Sequence, residues 1–119
     1  MKQKILVCDD EAEILEITEL ILDDAGYEVI TVQNSMEALD QIKQKQPDLI
    51  LLDLWMPGLS GDQIVSVLRQ DGAIKHIPVI IISASPDGKE KAFTAGANYF
   101  IAKPYDLNDL INQVEKYVN

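Results

Sequence analysis

Five side chains that could bind a metal ion or take part in group transfer stand where apolar stretches of the sequence end. They are Asp9, Asp10, Asp53, Ser83 and Lys103. Three carboxylates brought together oppose each other's ionisation, a cost that a fold tolerates when a hard cation lies between them. An all-oxygen ligand set suits Mg²⁺, or Mn²⁺ as a substitute, and excludes a zinc-type site. The set therefore predicts a divalent-cation site flanked by a hydroxyl group and an amine.

A purely structural interpretation of these residues has to be weighed. A single Asp after a strand is more often the N-cap of the next helix than a ligand. Asp10, which precedes Glu11 and Ala12, fits that role on its own. Capping does not explain polar residues after four separate apolar stretches, and the functional interpretation is favoured for the set.

The apolar stretches that must position these residues are short and bounded by turn-forming residues. The predicted strands are Lys4–Cys8, Glu28–Val32, Asp48–Leu52, residues 79–82 and Tyr99–Ile101. The third and fourth are apolar without alternation, which is typical of a strand covered on both faces. We therefore expect a sheet with helices on each side.

Helical periodicity fills the intervals between the strands. An apolar stripe of Ile14, Ile17, Ile21 and Ala25, with Leu15 and Leu22 beside it, marks a first helix that Gly26 ends. Asn34-Ser35 caps a second helix, in which Ala38, Leu39 and Ile42 point inward; a third, with Ile64, Val65, Val67 and Leu68, begins at Ser60. Ser85-Pro86 starts a fourth helix with few inward residues (Ala92, Phe93 and Ala95), and Gly96 ends it. Leu107, Leu110, Ile111, Val114 and Val118 form the stripe of a fifth.

This alternation of strands and helices predicts an α/β fold of the doubly wound (βα)₅ type. Alternating elements require parallel strands and right-handed crossovers. We expect one five-stranded parallel sheet in the flavodoxin-like order 2-1-3-4-5, formed by one domain over residues 1–119. The first and third strands are neighbours in that order, so their terminal carboxylates should converge at the carboxyl edge of the sheet.

Charge and composition exclude several classes of function. Twenty acidic and ten basic residues give a formal net charge of −10, which argues against direct binding of nucleic acid. No apolar run approaches the length of a membrane span and no signal peptide is evident, so we expect no membrane association. The single cysteine, Cys8, excludes an internal disulfide and fits the reducing cytoplasm, where it is expected to be a buried structural thiol.

Four segments, in order and at matching spacing, closely resemble the response-regulator receiver domain over essentially the whole chain. They are Ile-Leu-Val-Cys-Asp-Asp (5–10), Asp-Leu-Ile-Leu-Leu-Asp-Leu-Trp-Met-Pro-Gly-Leu-Ser-Gly (48–61), Pro-Val-Ile-Ile-Ile-Ser-Ala (78–84) and Ala-Gly-Ala-Asn-Tyr-Phe-Ile-Ala-Lys-Pro-Tyr (95–105). The resemblance implies a Mg²⁺-dependent switch in two-component signalling that accepts a phosphoryl group on an aspartate.

The resemblance also implies a role for each site residue. Asp53 matches the phosphoacceptor, Asp10 a direct Mg²⁺ ligand, and Asp9 a ligand that acts mainly through a metal-bound water. Trp55 stands where the family offers a backbone carbonyl to the metal. Ser83 matches the hydroxyl that hydrogen-bonds the phosphoryl group. Lys103 matches the lysine that pairs with Asp53 and then with the phosphoryl oxygens, and its bond to Pro104 is expected to be cis.

Phe100 departs from the commoner family pattern. It stands at the family's switch position, three residues before Lys103, where tyrosine is more frequent. A rotamer switch without a hydroxyl hydrogen bond and a plain core residue both remain open interpretations. Large Trp55, two residues after Asp53, would be placed to shield an acyl phosphate from water.

The partners implied by the resemblance are a histidine kinase or a histidine phosphotransfer protein upstream and an unknown protein downstream. The expected partner surfaces are the first helix beside Asp10, with Ile14 as a contact, and the face of the fourth helix, fifth strand and fifth helix. On that second face the candidate contacts are Lys91, Ala95, Asn98 and Tyr99. Output is expected through binding, because the chain ends about where the fifth helix ends. Only Lys116 is basic in the fifth helix, which favours a monomer over a salt-bridged dimer.

Three other functions fit the sequence less well. A Mg²⁺ phosphohydrolase would place its nucleophile after the first strand in an Asp-x-Asp pattern and would need a cap domain. A nucleotide-binding module would show a glycine-rich phosphate loop, which is absent from the sequence. A receiver that binds partners without phosphorylation would not need the complete acceptor set. We therefore expect a phosphoacceptor switch that catalyses only its own phosphorylation and slow autodephosphorylation.

Overall fold

Five parallel strands form one sheet in the order β2-β1-β3-β4-β5, as the sequence predicts. The computed structural model describes residues 2–85 and 87–118. The strands are β1 (Lys4–Cys8), β2 (Glu28–Val32), β3 (Leu49–Asp53), β4 (Val79–Ser83) and β5 (Tyr99–Ala102). The helices are α1 (Ala12–Asp24), α2 (Ala38–Lys45), preceded by a 3₁₀ turn at Ser35–Glu37, α3 (Gly61–Leu68), α4 (Gly88–Ala95) and α5 (Leu107–Val118).

The sheet separates two hydrophobic layers. One cluster packs α1 and α5 against one face of the sheet, and the other packs α2, α3 and α4 against the opposite face. Every residue of β3 and β4 is buried, since both strands are covered on both sides. In the part of the chain that the structure describes, no helix combines the length and apolar composition that a membrane span requires.

Three predicted helix faces differ from the observed ones. The buried face of α1 is Leu15, Thr18 and Leu22, whereas Ile17 and Ala25 are exposed. Because Thr18 is polar, periodicity predicted the stripe of Ile14, Ile17 and Ile21, which is shifted by one position from the buried face. Val67 of α3 is 50% exposed and Phe93 of α4 is 42% exposed, because the sheet covers only one side of each helix.

The boundaries of several elements also differ from expectation, since β4 and β5 each run one residue further than predicted, to Ser83 and Ala102. Asp53 is the last residue of β3, not the residue after it, because it still pairs with Ile82 of β4. Helix α4 begins at Gly88. The predicted start at Ser85-Pro86 is therefore two or more residues early, and Pro86 itself lies outside the described residues.

Two glycines bring helices close to the end of β3. A Cβ atom on Gly61 would lie 2.6 Å from the backbone oxygen of Asp53, so α3 begins in direct contact with that strand. A Cβ on Gly88 would collide with the side chain of Leu54, and α4 therefore starts directly against the residue that follows Asp53. Both helices consequently border the candidate site.

Candidate functional site

The site lies at the carboxyl edge of the sheet, where four neighbouring strands and the loops that follow them meet. Strands β1 and β3 run side by side, with Cys8 opposite Leu52, so the residues that end them are neighbours. Strands β4 and β5 continue the edge, with Ser83 opposite Ala102. Parallel strands bring their carboxyl ends to one edge, and doubly wound sheets bind ligands there.

The three carboxylates form the expected cluster. Asp9, Asp10 and Asp53 each offer an oxygen atom, and these atoms lie within 4.8 Å of one another. Asp9 and Asp53 are buried and Asp10 is half-buried, so one side of the cluster faces solvent. Carboxylate oxygens at this spacing, with a side open to water, fit a hard divalent cation that keeps part of its hydration shell.

Lys103 bridges the two buried carboxylates. Its Nζ lies 3.2 Å from Oδ1 of Asp53 and 3.4 Å from Oδ2 of Asp9. The backbone N–H of Lys103 donates to the Ser83 carbonyl at 2.8 Å, which fixes the lysine beside β4. The Lys103–Pro104 peptide bond is cis, as expected. One ammonium group thus offsets part of the charge of the cluster.

Burial and crowding change the acidity of the site. Burial is the largest cause that raises the pKa of Asp53, to about 6, and the charge of Asp9 adds to it, while Lys103 acts in the opposite direction. Burial also works to lower the pKa of Lys103, but the charges of Asp53 and Asp9 outweigh it and raise that pKa. The pKa of the buried Cys8 thiol rises to about 12, which keeps it protonated as a structural residue.

The raised pKa of Asp53 predicts that the free energy of unfolding of the metal-free protein depends on pH. An unfolded Asp loses its proton near pH 4, whereas folded Asp53 keeps it to about pH 6. Between these values the unfolded state binds fewer protons, so Asp53 makes folding less stable as the pH rises. With EDTA present, Asp53→Asn should stabilise the protein at pH 7 by about 1 kcal/mol after allowance for solvent screening.

That advantage should shrink from pH 6 towards pH 4, where folded Asp53 is protonated and the unfolded side chain is about half protonated. Denaturant unfolding of both proteins at several pH values between 4 and 7 measures the difference, in which the other titrating groups largely cancel. An advantage that is constant over this range would contradict the assignment of the raised pKa to Asp53.

Ser83 lies at the same edge, and its side chain contacts the loop that follows β4. It is fully buried, and its Oγ accepts the N–H of Ser85 at 3.1 Å. Its contact with a phosphoryl group stays a prediction. The hydrogen bond with Ser85 links the Ser83 side chain to the loop after β4.

Trp55 and Phe100 each lie near the first half of α4. Trp55 is 49% exposed in the loop after β3, and its ring lies 5.1 Å from Nζ of Lys91 on α4. Phe100 is half-buried against the core, and its ring is near Gly88. Sequence reasoning did not predict the contact between Trp55 and Lys91, because no spacing pattern links a loop residue to a helix thirty-six positions away.

The predicted partner contacts fall into two groups. Ile14 lines a groove of about 440 Å³ beside Lys103, together with Ile17, Tyr105 and Leu107. On the other surface, Lys91 and Tyr99 are exposed and Ala95 is half-buried. Asn98 has an internal role as well, since its Oδ1 accepts hydrogen bonds from Arg69 at 2.7 Å and from the N–H of Val79 at 2.9 Å. Their contact with partners stays a prediction.

Arg69 was missed by the sequence analysis. Besides Asn98, its guanidinium group donates to the carbonyls of Gly96, Lys75 and Ile77 at 2.7–3.0 Å. It therefore holds the end of α4 to the end of α3. A single arginine within a predicted helix gives no indication, from the sequence alone, of which distant carbonyl groups it will bind.

Residues 5–115 match the family model described as "Response regulator receiver domain". The chain is 36% identical over 113 residues to the phosphate regulon transcriptional regulatory protein PhoB of Pseudomonas aeruginosa, covering 93% of this chain and 49% of that protein. It is 29% identical over 120 residues to the polar-differentiation response regulator DivK of Brucella anthropi, covering 99% and 98%. The chain thus spans about half the length of the first of these relatives and nearly all of the second.

A solved structure gives the same result for the fold. The receiver domain of a Pseudomonas aeruginosa sensor histidine kinase, solved with a magnesium ion coordinated in the active site cleft, superposes with a TM-score of 0.91. It is 25% identical, and the match covers 99% of this chain and 98% of that one.

Proposed function

The chain belongs to the response regulator receiver domain family of two-component systems, and on that basis we propose that it accepts a phosphoryl group on Asp53 in a Mg²⁺-dependent reaction. The observation that supports this most directly is the position of Lys103, whose Nζ lies between Asp53 and Asp9 in the carboxylate cluster. Phosphorylation of an aspartate is the general mechanism of the family. Residues 1–119 would act as one receiver domain.

The chemistry needs a nucleophile and positive charge at the phosphoryl oxygens. An Asp53 carboxylate oxygen forms a bond to phosphorus while the bond from phosphorus to the donor's leaving group breaks, and the leaving group keeps that electron pair. Lys103, whose Nζ is 3.2 Å from Oδ1 of Asp53, would pair first with this carboxylate and then with the oxygens of the transferred phosphoryl group. The product is an acyl phosphate, which hydrolysis returns to the free carboxylate.

Asp10, Asp53 and the backbone carbonyl of Trp55 would hold the cation directly, and Asp9 would hold it through water. Asp9 Oδ1 accepts the N–H of Glu11 at 2.9 Å, which orients this carboxylate. When bound, Mg²⁺, or Mn²⁺ in its place, supplies positive charge that stabilises the transferring phosphoryl group. We infer no activity on a separate substrate, only self-phosphorylation and slow autodephosphorylation.

Receiver domains interact with histidine kinases or phosphotransfer proteins, and we infer a cytoplasmic donor of this kind here. The apolar groove between α1 and the segment after β5 lies beside Lys103 and presents Ile14 and the 57% exposed Ile17. A partner helix placed there would bring its phosphohistidine close to Asp53. Direct nucleic-acid binding is disfavoured by the net charge of −10, and a monomer remains our hypothesis.

Incubation with a small phosphodonor tests the function without a cognate kinase. Acetyl phosphate with Mg²⁺ should add one phosphoryl group per chain, and the mass should return to that of the free protein as the acyl phosphate hydrolyses. EDTA should prevent labelling, because the cation is needed at the phosphoryl oxygens. Labelling that proceeds equally in EDTA would overturn the metal-dependent mechanism.

Output would follow from a movement of the loop after β4. Ser83 Oγ accepts a hydrogen bond from the N–H of Ser85, so the loop would be drawn inward when the Ser83 O–H donates to a phosphoryl group on Asp53. Phe100 could then rotate into the vacated space beside α4. Gly88 and Ala92 are the buried residues of α4, so few side chains anchor the helix and moving it costs less than moving a well-packed one. The changed face of α4, β5 and α5 would bind the downstream partner.

Beryllofluoride with Mg²⁺, which mimics the phosphoryl group, makes this switch testable by NMR. Backbone amide shifts should concentrate at residues 83–101, and Ser83→Ala should reduce them because the contact that draws the loop inward is lost. Shifts confined to residues 9–10 and 53–57 would show that the domain binds the mimic without switching.

A further inference from the structure

Helix α4 is held from the side by a contact that the predicted switch does not use. Lys91 Nζ lies 5.1 Å from the centroid of the Trp55 ring and 4.0 Å from Oδ2 of Asp62. The ammonium group is thus placed between an aromatic face and a carboxylate. Both attractions act on a single side chain of α4.

The two partners of Lys91 are themselves fixed near the phosphorylation site. Trp55 is two residues after Asp53, in the loop that leaves β3. Asp62 lies in the first turn of α3, and its Oδ1 accepts a hydrogen bond from Ser60 Oγ at 2.6 Å. Since α3 begins in direct contact with the backbone of Asp53, Lys91 joins α4 to two elements that border the site.

Other contacts hold the two ends of α4 differently. Arg69 donates to the carbonyl of Gly96 at 3.0 Å and so fixes the end of the helix. Near the start, Gly88 packs against Leu54, and Phe93 is partly exposed. Lys91, in the first half of α4, is therefore placed to restrain the part of the helix that lies beside the site.

We propose that Lys91 is a latch: its contact with Trp55 and Asp62 holds α4 in the unphosphorylated arrangement and must break when the domain switches. The inference rests on the proposed function, because it assumes that a phosphoryl group on Asp53 moves α4. The Lys91 side chain is 52% exposed. At such a site a cation–π contact and an ion pair together change an equilibrium by about threefold to tenfold.

Removing the latch should make switching easier. Lys91→Met keeps a long side chain and lacks the charge, so the unphosphorylated arrangement loses a stabilising contact. The switched arrangement, in which this contact is already broken, is unaffected. The apparent affinity for beryllofluoride with Mg²⁺ should then tighten by about threefold to tenfold, because a larger fraction of molecules is competent to bind. The amide shift of Ala102 provides a readout that does not depend on the substituted residues.

Lys89→Met is the matched control. Lys89 is exposed on the same helix, makes no ion pair within residues 2–85 and 87–118, and its loss changes the net charge equally. Loss of a positive charge by itself weakens binding of an anion, so a tightening is opposite in sign to the general electrostatic effect. Lys91→Arg keeps a cation over the ring and should retain most of the wild-type affinity.

A double-mutant cycle with Trp55→Leu tests the contact itself. The leucine keeps the backbone carbonyl but removes the aromatic face, so Lys91→Met should have a much smaller effect in this background. Equal affinities for Lys91→Met and Lys89→Met, or an undiminished effect in the Trp55→Leu background, would overturn the latch alone. If wild-type protein gives no response to beryllofluoride, the proposed function is wrong and the latch fails with it.

Discussion

Replacement of Asp53 by Asn is expected to reduce phosphorylation by acetyl phosphate to less than about one-hundredth of the wild-type level, because the amide is not an anionic nucleophile. The side chain is nearly isosteric and Asp53 is buried, so the fold should be retained. Asp9 is a poor substitute acceptor, since its Oδ1 already accepts the N–H of Glu11. Intact-mass analysis after incubation with acetyl phosphate and Mg²⁺ measures the change.

Asp40→Asn is the matched control for this experiment. Asp40 is exposed on α2, and its replacement makes the same change in charge away from the site. The control should be labelled to the wild-type extent. Equal labelling of the Asp53→Asn protein would falsify the assignment of the acceptor, and tryptic mapping would then identify the residue that carries the phosphoryl group.

The second large effect is expected from the cation. Mg²⁺ is expected to bind the folded site and to relieve the repulsion among Asp9, Asp10 and Asp53, so it should raise the free energy of unfolding. At a free concentration one hundred times its dissociation constant, linkage gives about 2.7 kcal/mol. For a chain of 119 residues this corresponds to an increase in Tm of about 10 °C.

Asp10→Asn should lose most of this stabilisation and should also block labelling, because the metal loses a direct carboxylate ligand. Asp10 is half-buried, so the variant is expected to fold. KCl at matched ionic strength is the control for general screening, which stabilises a chain of net charge −10 without a specific site. A melt that responds equally to KCl and to Mg²⁺ would count against a shared carboxylate site.

The proposed switch and the raised pKa of Asp53 involve the same carboxylate cluster. Burial and the charge of Asp9 raise the pKa of Asp53 to about 6, so its ionised carboxylate lies in an unfavourable environment in the metal-free domain. The cation and the phosphoryl group are proposed to act on that same cluster. Because Gly61 and Gly88 bring α3 and α4 against the end of β3, changes at the cluster lie next to the helix that is expected to move.

Residue patterns alone were enough to predict the architecture and the composition of the site. Alternation between strand and helix patterns required parallel strands with helices on both faces, and the observed order 2-1-3-4-5 confirms that prediction. The residues of the cluster could be selected because each ends a strand or follows one closely, and parallel strands end at one edge. Asp9, Asp10, Asp53 and Lys103 therefore converge as predicted.

Which side of each helix is buried, and how the loops meet, depends on the packing of the elements against one another. Periodicity defines a stripe but not the surface that it packs against, which is why Thr18 is buried and Ile17 exposed on α1. The contact of Lys91 with Trp55, the hydrogen bonds of Arg69 and the raised pKa of Asp53 all depend on groups far apart in the chain. Such contacts arise from packing between elements, and local residue patterns do not record them.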